Sequence, residues 1–167
     1  MLDMYTGHSI SPGFFSWAIP SGETTRIGTW AKADMMAGSS SEDFLNRLMS
    51  NNDLNSRFID CSEVGRYCGP VPSGIVKRPM MERVALFGDA AGICKPTTGG
   101  GIGPGFKQVD ILVPMLSQSI RNNTLGKSSM KRIASSMDDM RRDQRKKRAL
   151  RDAFLTEMDD DELEKIF

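Results

Sequence analysis

The chain has 167 residues, of which 39% are hydrophobic and 26% are charged, and its formal net charge at pH 7 is +1. This length allows one domain or two small ones, and the composition is that of a chain with a packed core rather than of a disordered chain. A net charge near zero argues against a dedicated nucleic-acid-binding protein, and no apolar run approaches the roughly 20 residues that span a bilayer.

The cysteines and the histidine of the chain argue against a disulfide framework and against a metal site. The cysteines, Cys61, Cys68 and Cys94, are odd in number and lack C-x-x-C spacing, which fits reduced thiols in a cytosolic protein. His8 is the only histidine and is distant from them in the sequence, so no metal site is predicted. For Cys68 and Cys94 a buried inert thiol is favoured, and a reactive thiol is the alternative. The N-terminus also lacks the pattern of a secretory signal, so a cytoplasmic location is expected.

Residues 2–32 carry the pattern of an antiparallel β-hairpin. A candidate first strand runs from Leu2 to Ser9, residues 14–19 are rich in aromatic side chains, and residues 24–30 include β-branched side chains. Residues 20–23 between the last two segments are a turn signal. Taken alone, the aromatic residues of this hairpin indicate the core of a half-buried sheet.

Two further elements precede the glycine-rich region. Ser39 and Glu42 have the spacing of a capping box, with Ser39 as the N-cap of a helix. Residues 44–49 place apolar side chains on one face of that helix, which we expect to pack on the sheet. Residues 62–78 contain several glycines and prolines and are typical of an edge strand with turns.

The region from Arg83 to Phe106 is the most informative part of the sequence. The apolar run from Val84 to Phe87 predicts a short strand that is buried on both faces, and an acidic turn at residues 88–89 follows it. Three consecutive glycines then precede a helix that is expected to begin near Ile102. Glycines allow a ligand to approach the backbone closely, and free N–H groups at the start of a helix favour negative charge. This order of elements predicts a site for a polar, phosphorylated ligand, with a carboxylate at residue 89 that accepts hydrogen bonds from sugar-like hydroxyls.

The C-terminal part of the chain is predicted to be helical. Apolar residues at helical spacing run from Phe106 to Ile120, where Pro114 is expected to kink or divide the helix. Residues 128–167 contain no glycine or proline and predict further helices, with one apolar stripe at Met130, Ile133, Met137 and Met140 and a second at Leu150, Phe154, Leu155 and Met158. The basic segment Arg141–Arg151 is interpreted either as a solvated helix face, which is favoured, or as a contact with anionic lipid headgroups on the inner face of a membrane.

The glycine-rich region resembles the second FAD-binding motif of the geranylgeranyl reductase family, one of the para-hydroxybenzoate-hydroxylase-like flavoprotein families. The family pattern is G-D-A-A-G-x-x-x-P-x-T-G-G-G-I, and the chain matches it from Gly88 to Ile102. The resemblance implies that Asp89 bonds the ribityl chain of FAD and that the glycine loop lies against the pyrimidine end of the isoalloxazine. The implied cofactor-binding residues are Gly88, Asp89, Ala90, Pro96, Thr98, Gly99, Gly100, Gly101 and Ile102. Related hydroxylases usually have His where Gly92 stands and Asn soon after the glycines, and their absence here favours the reductase branch.

The hairpin carries a second resemblance to the same family. Geranylgeranyl reductases have a motif close to Y-x-W-x-F-P, followed about seven residues later by G-x-G. Trp17, Pro20 and Gly28 agree with this pattern, whereas residues 15, 19 and 30 depart from it. A tryptophan at residue 30 would narrow a cavity if its ring pointed inward. The resemblance implies that the hairpin lines an isoprenoid cavity beside the flavin, and the implied substrate-binding residues are Phe15, Trp17, Ile19, Pro20 and Gly28.

The resemblance implies an α+β fold class. The chain would be part of a two-domain α/β flavoprotein of the para-hydroxybenzoate-hydroxylase-like kind, with an antiparallel substrate-domain sheet, one buried FAD-domain strand and a helical C-terminus. Residues 1–80 would be part of the substrate-binding domain, residues 81–122 the C-terminal part of the FAD-binding domain, and residues 123–167 a helical region. The G-x-G-x-x-G segment that holds the FAD diphosphate in such proteins is not found in this sequence. The chain would thus correspond to the C-terminal part of a family protein and bind FAD weakly or not at all by itself.

The function implied by the resemblance is FAD-dependent reduction of C=C bonds in geranylgeranyl chains, with a hydride from reduced flavin and a proton from elsewhere. No residue is identified as the proton donor, so the catalytic residues stay unknown. Archaeal members of the family act on isoprenoid membrane lipids, which are the favoured substrate, with NAD(P)H or ferredoxin as the electron donor. Two alternatives stay open. One is another flavin oxidoreductase, such as a quinone-reducing dehydrogenase or a monooxygenase, and the other is a non-catalytic fragment that binds lipid or a partner subunit.

Overall fold

The computed structural model describes residues 2–165, without the side chain of Asp53. The chain divides into two compact units. Unit 1 consists of residues 1–69 and 150–167, and unit 2 consists of residues 70–149. The domain boundaries expected after residues 80 and 122 stay a prediction.

Unit 1 contains a three-stranded antiparallel sheet in the order β1-β2-β3. Its strands are β1 (Asp3–Tyr5), β2 (Ser16–Ser21) and β3 (Thr24–Thr29). A two-residue turn joins β2 to β3, and Gly22 occupies its first central position with a φ of 61°, which glycine adopts without strain. The predicted hairpin is confirmed. The first strand is shorter than expected because residues 8–10 form a turn.

Helices cover one face of this sheet. They are α1 (Ser41–Met49) and α2 (Asn52–Ser56), and a 3₁₀ turn, Ala33–Met35, precedes them. Leu48 of α1 and Leu54 of α2 are fully buried against Ala18 of β2. The packing face predicted from the apolar spacing of residues 44–49 is therefore confirmed.

The capping box of α1 lies one residue later than predicted. The Ser40 hydroxyl accepts a hydrogen bond from the Asp43 N–H at 3.2 Å, and the Asp43 carboxylate accepts one from the Ser40 N–H at 2.7 Å. The hydrogen bond from the Ser40 backbone lowers the pKa of Asp43. Any of three consecutive serines can cap a helix, and this register is the one that turns Phe44 and Leu48 inward.

Residues 62–78 do not form the predicted edge strand. Every residue from Cys61 to Pro72 is exposed, and strand structure resumes only at Met80. Glycine and proline at residues 65, 69, 70 and 72 remove side chains or N–H groups that a strand needs. The segment therefore lacks both a buried face and a continuous hydrogen-bond ladder.

Unit 2 contains a short antiparallel ribbon of β4 (Met80–Met81) and β5 (Val84–Ala85). The prediction of a strand from Val84 to Phe87 that is buried on both faces was wrong, because Val84 is 43% exposed. A strand is buried on both faces only where other layers cover both of them. Within residues 2–165, β5 pairs with β4 alone, so its second edge has no neighbour in the described chain.

The helices of unit 2 are α3 (Ile102–Arg121), α4 (Lys127–Ser135) and the first part of α5 (Asp138–Leu155). The expected start of α3 at Ile102 is confirmed. Pro114 does not divide α3, because it lies on the exposed side of the helix, where water can bond the carbonyl that loses its partner.

The core of unit 2 is rich in methionine. The stripe expected from helical spacing is buried, with exposures of at most 5% for Met130, Ile133, Met137 and Met140. This cluster packs around Leu112 of α3 and also contains Met80, Ala91 and Ile93.

The chain from residue 128 to residue 165 is helical except for short breaks at residues 136–137 and 156–159. After the second break, α6 (Asp160–Glu164) begins with a capping box at Asp159. The prediction of a helical C-terminus is confirmed up to residue 165, and residues 166–167 lie outside the described part of the chain. A second stripe expected around Leu150 and Phe154 is not core, since both side chains are exposed.

Candidate functional site

The acidic turn after β5 is a 3₁₀ turn, Gly88–Ala91, that ends at a glycine in the left-handed region. Gly92 has a φ of 71°, and its N–H donates to the Asp89 carbonyl at 2.9 Å. A Cβ on Gly92 would overlap the carbonyl oxygen of Gly74, whose N–H donates to the Gly92 carbonyl at 3.2 Å. Only glycine satisfies both requirements here, so the family resemblance at Gly92 has a structural cause in this chain.

The glycine-rich loop is closed by its own backbone. The Lys95 N–H donates to the Gly100 carbonyl at 3.0 Å, and the Gly99 N–H donates to the Lys95 carbonyl at 2.9 Å. Pro96 is fully buried under this loop, whereas Thr98 is exposed. The loop is thus a fixed element that presents its backbone to the surface.

The structure brings Asp89 to the start of α3. A Cβ on Gly101 would lie 2.9 Å from the Asp89 carboxylate oxygen Oδ1, so the carboxylate lies directly over Gly101. Asp89, Ala90, Gly100 and Ile102 are all exposed at this place. Asp89 and Gly101, twelve positions apart in the sequence, therefore form one accessible surface. It carries a hydrogen-bond acceptor, the Asp89 carboxylate, and the start of α3, which has no side-chain cap.

Gln108 positions this turn, and sequence reasoning missed it. Its side chain is fully buried, its Oε1 accepts a hydrogen bond from the Gly88 N–H at 2.9 Å, and its Nε2 donates to the Leu86 carbonyl at 3.0 Å. These bonds give partners to two backbone groups in the segment that directly follows the short strand β5, the Leu86 carbonyl and the Gly88 N–H. The signal that was available is a glutamine four residues before Leu112 on the buried face of a helix.

Gln144 performs a similar role from α5. Its Oε1 accepts from the Ile75 N–H at 3.1 Å, and its Nε2 donates to the Cys94 carbonyl at 3.0 Å. Two arginines on the same side of the helix bind the same strip of chain, Arg141 at the Val76 carbonyl (3.1 Å) and Arg148 at the Ser73 carbonyl (2.6 Å). Part of the basic segment therefore binds backbone instead of facing solvent or lipid.

The remaining cations of the basic segment divide into paired and unpaired ones. Arg142 pairs with Asp139, and Lys147 pairs with Asp143 at 2.7 Å. Within the described chain, Arg145 and Lys146 are exposed and form no ion pair. Any contact of this segment with anionic lipid would thus depend mainly on these two residues.

Arg151, at the end of the basic segment, is buried in unit 1. It is 6% exposed, and its guanidinium lies 4.5 Å from the ring centroid of Phe14. Burial opposes ionisation of the neighbouring Asp152, but hydrogen bonds and charge from Arg151 outweigh it and lower the pKa of Asp152. Arg151 therefore stabilises unit 1 and is not available to a ligand or a membrane.

The predicted substrate residues lie on the sheet of unit 1. Ser16 and Ala18 of β2 face the buried side, so the alternation of a strand turns Trp17 and Ile19 to the opposite face, where both are partly exposed. The ring of Phe15 lies 5.9 Å from that of Trp17. Together these side chains form an aromatic, apolar and accessible sheet face, and none of them belongs to the core cluster of the described part of unit 1.

Gly28 is the cross-strand partner of Trp17 in this face. A Cβ on Gly28 would overlap the indole ring, so the ring lies flat across the glycine. Pro20 is exposed near the hairpin turn, beyond the part of β2 that pairs with β1. The structure therefore brings Phe15, Trp17, Ile19 and Gly28 together and leaves Pro20 at the end of the strand.

Replacement of Gly28 by alanine is expected to displace the Trp17 ring and to lower the free energy of unfolding of unit 1 by about 1–3 kcal/mol, because the site is overpacked. Both tryptophans of the chain, Trp17 and Trp30, lie in unit 1, so tryptophan fluorescence during urea unfolding measures this change. In a Trp17→Ala background the same Gly28→Ala change should cost almost nothing. Equal costs in the two backgrounds would contradict the contact.

Trp30 stacks on Phe14, with ring centroids 3.7 Å apart and an interplanar angle of 13°. Phe14 is buried and also carries Arg151 near its ring. The ring at residue 30 is thus held against the unit 1 interior by a specific partner.

Cys94 is buried behind the acidic turn. Its thiol donates to the Pro72 carbonyl, with 2.6 Å between sulfur and oxygen, and burial, together with the charge of Asp89, raises the pKa of the Cys94 thiol. A protonated and enclosed thiol is unreactive, so the inert interpretation is favoured for Cys94. Cys68 is exposed in the irregular segment, so the expectation that it is buried was wrong. Among the described residues no cluster of potential ligands could hold a metal ion, and no helix is apolar and long enough to cross a bilayer.

Similar proteins were found among curated protein sequences and among solved structures. No protein-family model matches the chain. A digeranylgeranylglycerophospholipid reductase of Methanocaldococcus jannaschii is 29% identical over 103 residues, which cover 61% of this chain and 26% of that protein. Digeranylgeranylglycerophospholipid reductase 3 of Methanosphaera stadtmanae is 27% identical over 155 residues, which cover 92% of this chain and 38% of that protein.

The chain is similar to part of the digeranylgeranylglycerophospholipid reductases that it matches. The resemblance inferred from the two motifs is confirmed by these matches. The chain spans about a quarter of the length of the first curated reductases that it matches. A solved structure of a geranylgeranyl bacteriochlorophyll reductase-like protein from Thermoplasma acidophilum superposes with a TM-score of 0.75 at 22% identity and covers 99% of this chain and 41% of that one. The two share a fold, and the predicted α+β class with an antiparallel sheet and a helical C-terminus is confirmed.

Proposed function

We propose that this chain supplies part of the flavin site and part of the substrate wall of an FAD-dependent reductase. The proposal is supported by one observation above all, the placement of the exposed Asp89 carboxylate over Gly101 at the start of α3. A carboxylate there can accept hydrogen bonds from the hydroxyls of a ribityl chain, while the backbone of the glycine loop lies open beside it.

The residues of this surface fit a large planar ligand. Positions 103 and 105 of α3 are glycines with open space where a Cβ would be, and Gly100 meets only side-chain atoms at van der Waals distance. FAD, when bound, would supply the hydride for reduction. Ala90, Thr98, Gly99 and Ile102 would form the remaining contacts, and Gly88 and Pro96 would hold the turn and the loop in place.

The proposed substrate is the geranylgeranyl chain of an isoprenoid membrane lipid, and the proposed reaction is reduction of its C=C bonds. The reductases that match this chain carry that substrate in their names. The aromatic sheet face of Phe15, Trp17 and Ile19 suits an apolar prenyl chain, because contact with it removes apolar surface of both from water. NAD(P)H or ferredoxin is the proposed electron donor.

The test uses the protein expressed from its own gene and captured with an antibody against this chain. We expect captured protein to release flavin on denaturation and, after reduction, to add two hydrogens to each double bond reduced in a geranylgeranyl lipid, as measured by mass spectrometry. Asp89→Ala should lower the bound flavin about tenfold through loss of charge-assisted hydrogen bonds, whereas Asp110→Ala, an exposed aspartate on α3, should leave it unchanged.

The outcomes separate the alternatives. Flavin with quinone reduction or hydroxylation in place of lipid reduction would replace the substrate assignment with another flavin oxidoreductase. A protein without flavin and without reduced lipid would overturn the proposal in favour of a non-catalytic lipid-binding or partner-binding chain.

A contact with the membrane is also proposed, through Arg145 and Lys146. Each basic residue near an anionic surface contributes about 1 kcal/mol, so Arg145→Ala with Lys146→Ala should weaken binding to anionic vesicles about tenfold or more at low salt. Lys127→Ala with Lys131→Ala removes the same charge from exposed positions on α4 and serves as the control. Cosedimentation with vesicles measures the difference, and equal losses for the two pairs would contradict a specific contact.

A further inference from the structure

A pocket lies in unit 2 between the glycine loop, the first turn of α3 and the middle of α5. It is a cavity of about 190 Å³. Its floor is buried and neutral, since it is formed by Cys94, Met140 and Gln144, which are all at most 7% exposed. The polar groups of the floor are engaged, because the thiol bonds the Pro72 carbonyl and the Gln144 amide bonds backbone groups. The cavity exceeds the ~30 Å³ of a single water several times, so it has room for a compact polar group.

The rim of this pocket is strongly cationic. Lys95, Lys107 and Lys147 line it, and Asp143 is the one acidic residue among its lining residues. Asp143 is occupied by Lys147 at 2.7 Å, and within residues 2–165 Lys95 and Lys107 form no ion pair. Three cations against one carboxylate leave an excess of two positive charges around a small cavity.

The backbones of the three lysines are held in place by three different elements of unit 2. The backbone of Lys95 is held by both hydrogen bonds that close the glycine loop, Lys107 is in the second turn of α3, and Lys147 is in α5. Like charges placed together repel one another, so such an arrangement is stabilised by an anion that lies between them.

We propose that this pocket binds a phosphate group. The ammonium groups of Lys95 and Lys107 would donate charge-assisted hydrogen bonds to the phosphate oxygens, and Lys147 would be shared with Asp143. Phosphate fits better than a carboxylate because it offers oxygens in several directions to donors on three separate elements. The pocket shares Pro96 and Gly103 with the proposed flavin surface but does not include Asp89, so phosphate binding is tested on the chain without flavin and can fail or succeed separately from the proposed function.

The experiment is a titration of the 167-residue chain with inorganic phosphate by calorimetry, at constant ionic strength with chloride as the replaced anion. We expect saturable binding that weakens about tenfold or more in Lys95→Ala with Lys107→Ala, because each substitution removes a hydrogen bond to a charged group. Both lysines are exposed, so the variant should keep the circular dichroism spectrum of the unchanged chain. Lys127→Ala with Lys131→Ala is the control of equal charge and should bind phosphate as the unchanged chain does.

Two results would overturn the proposal. One is the absence of saturable phosphate binding by the unchanged chain, and the other is equal weakening in the test and control variants, which would indicate general attraction of anions. A vesicle arm identifies the source of the phosphate. If the source is a lipid headgroup, binding to phosphatidylcholine vesicles that contain phosphatidic acid will fall in the Lys95 and Lys107 variant and in the presence of free phosphate. If the source is a soluble phosphate, vesicle binding will be the same for the variant and the unchanged chain.

Discussion

Replacement of Gly92 by alanine is expected to destabilise unit 2 by about 2–5 kcal/mol, the largest effect of any single substitution considered. Two costs combine. An alanine at a φ of 71° takes up the left-handed conformation, which costs about 1–2 kcal/mol. Its Cβ would also overlap the Gly74 carbonyl oxygen, a backbone atom that cannot rotate away as a side chain would. The hydrogen bond from the Gly74 N–H to the Gly92 carbonyl would then lengthen or break.

Gly88 provides the matched control. Its φ of 55° is also left-handed, but a Cβ there meets nothing within 4 Å. Gly88→Ala should therefore cost only the conformational term, about 1–2 kcal/mol. Urea unfolding followed by circular dichroism at a helical wavelength measures both variants. If the two substitutions cost the same, the close approach at Gly92 has no energetic consequence and the expectation is wrong.

The second large effect is expected for Gln108→Leu. The leucine fills a similar space but leaves the Gly88 N–H and the Leu86 carbonyl without partners next to a fully buried position. An unsatisfied buried polar group costs about 1–3 kcal/mol, and because Leu86 and Gly88 are only partly buried the two together should lower the free energy of unfolding by about 2–4 kcal/mol. Faster hydrogen exchange of the Gly88 amide is expected as a local signature, because this N–H loses its acceptor.

Gln118→Leu is the same substitution on an exposed position of the same helix. It should change the free energy of unfolding by no more than about 0.5 kcal/mol. Comparable losses at residues 108 and 118 would mean that the cost comes from the helix surface and not from the two buried hydrogen bonds. A cost at residue 108 without faster exchange at Gly88 would point to cavity or packing effects in place of the bond to the turn.

Local patterns determined the elements whose stability is local. The β2–β3 hairpin, the start of α3 at Ile102 and the methionine stripe of α4 and α5 follow from turn residues and apolar spacing, which act over a few residues. The family motifs were readable for the same reason, because each occupies one continuous stretch. The capping box shifted by one residue because three adjacent serines offer nearly equal caps, and packing of Phe44 and Leu48 selected among them.

Tertiary structure decided the features that depend on distant residues. The burial of β5 depends on layers that cover both of its faces, and Val84 stays exposed in the described chain, so the expected burial on both faces failed. The basic segment looked uniform in sequence, yet Arg141 and Arg148 bind backbone carbonyls and Arg151 is buried near Phe14. The sequence shows how charged residues are spaced along a helix, but not which groups lie opposite them in the folded chain.

The features of the candidate site also divide into those that the sequence determines and those that depend on the fold. The sequence by itself determined that an acidic turn, a glycine loop and a helix start follow one another, because glycine and aspartate at those places have few other uses. Only the folded chain decided that the Asp89 carboxylate lies over Gly101, that Gln108 holds the turn from the buried face of α3, and that Gly92 must be glycine because of Gly74. These contacts join residues 12 to 22 positions apart, and no local preference encodes a distance between two groups that meet only when the core of unit 2 has formed.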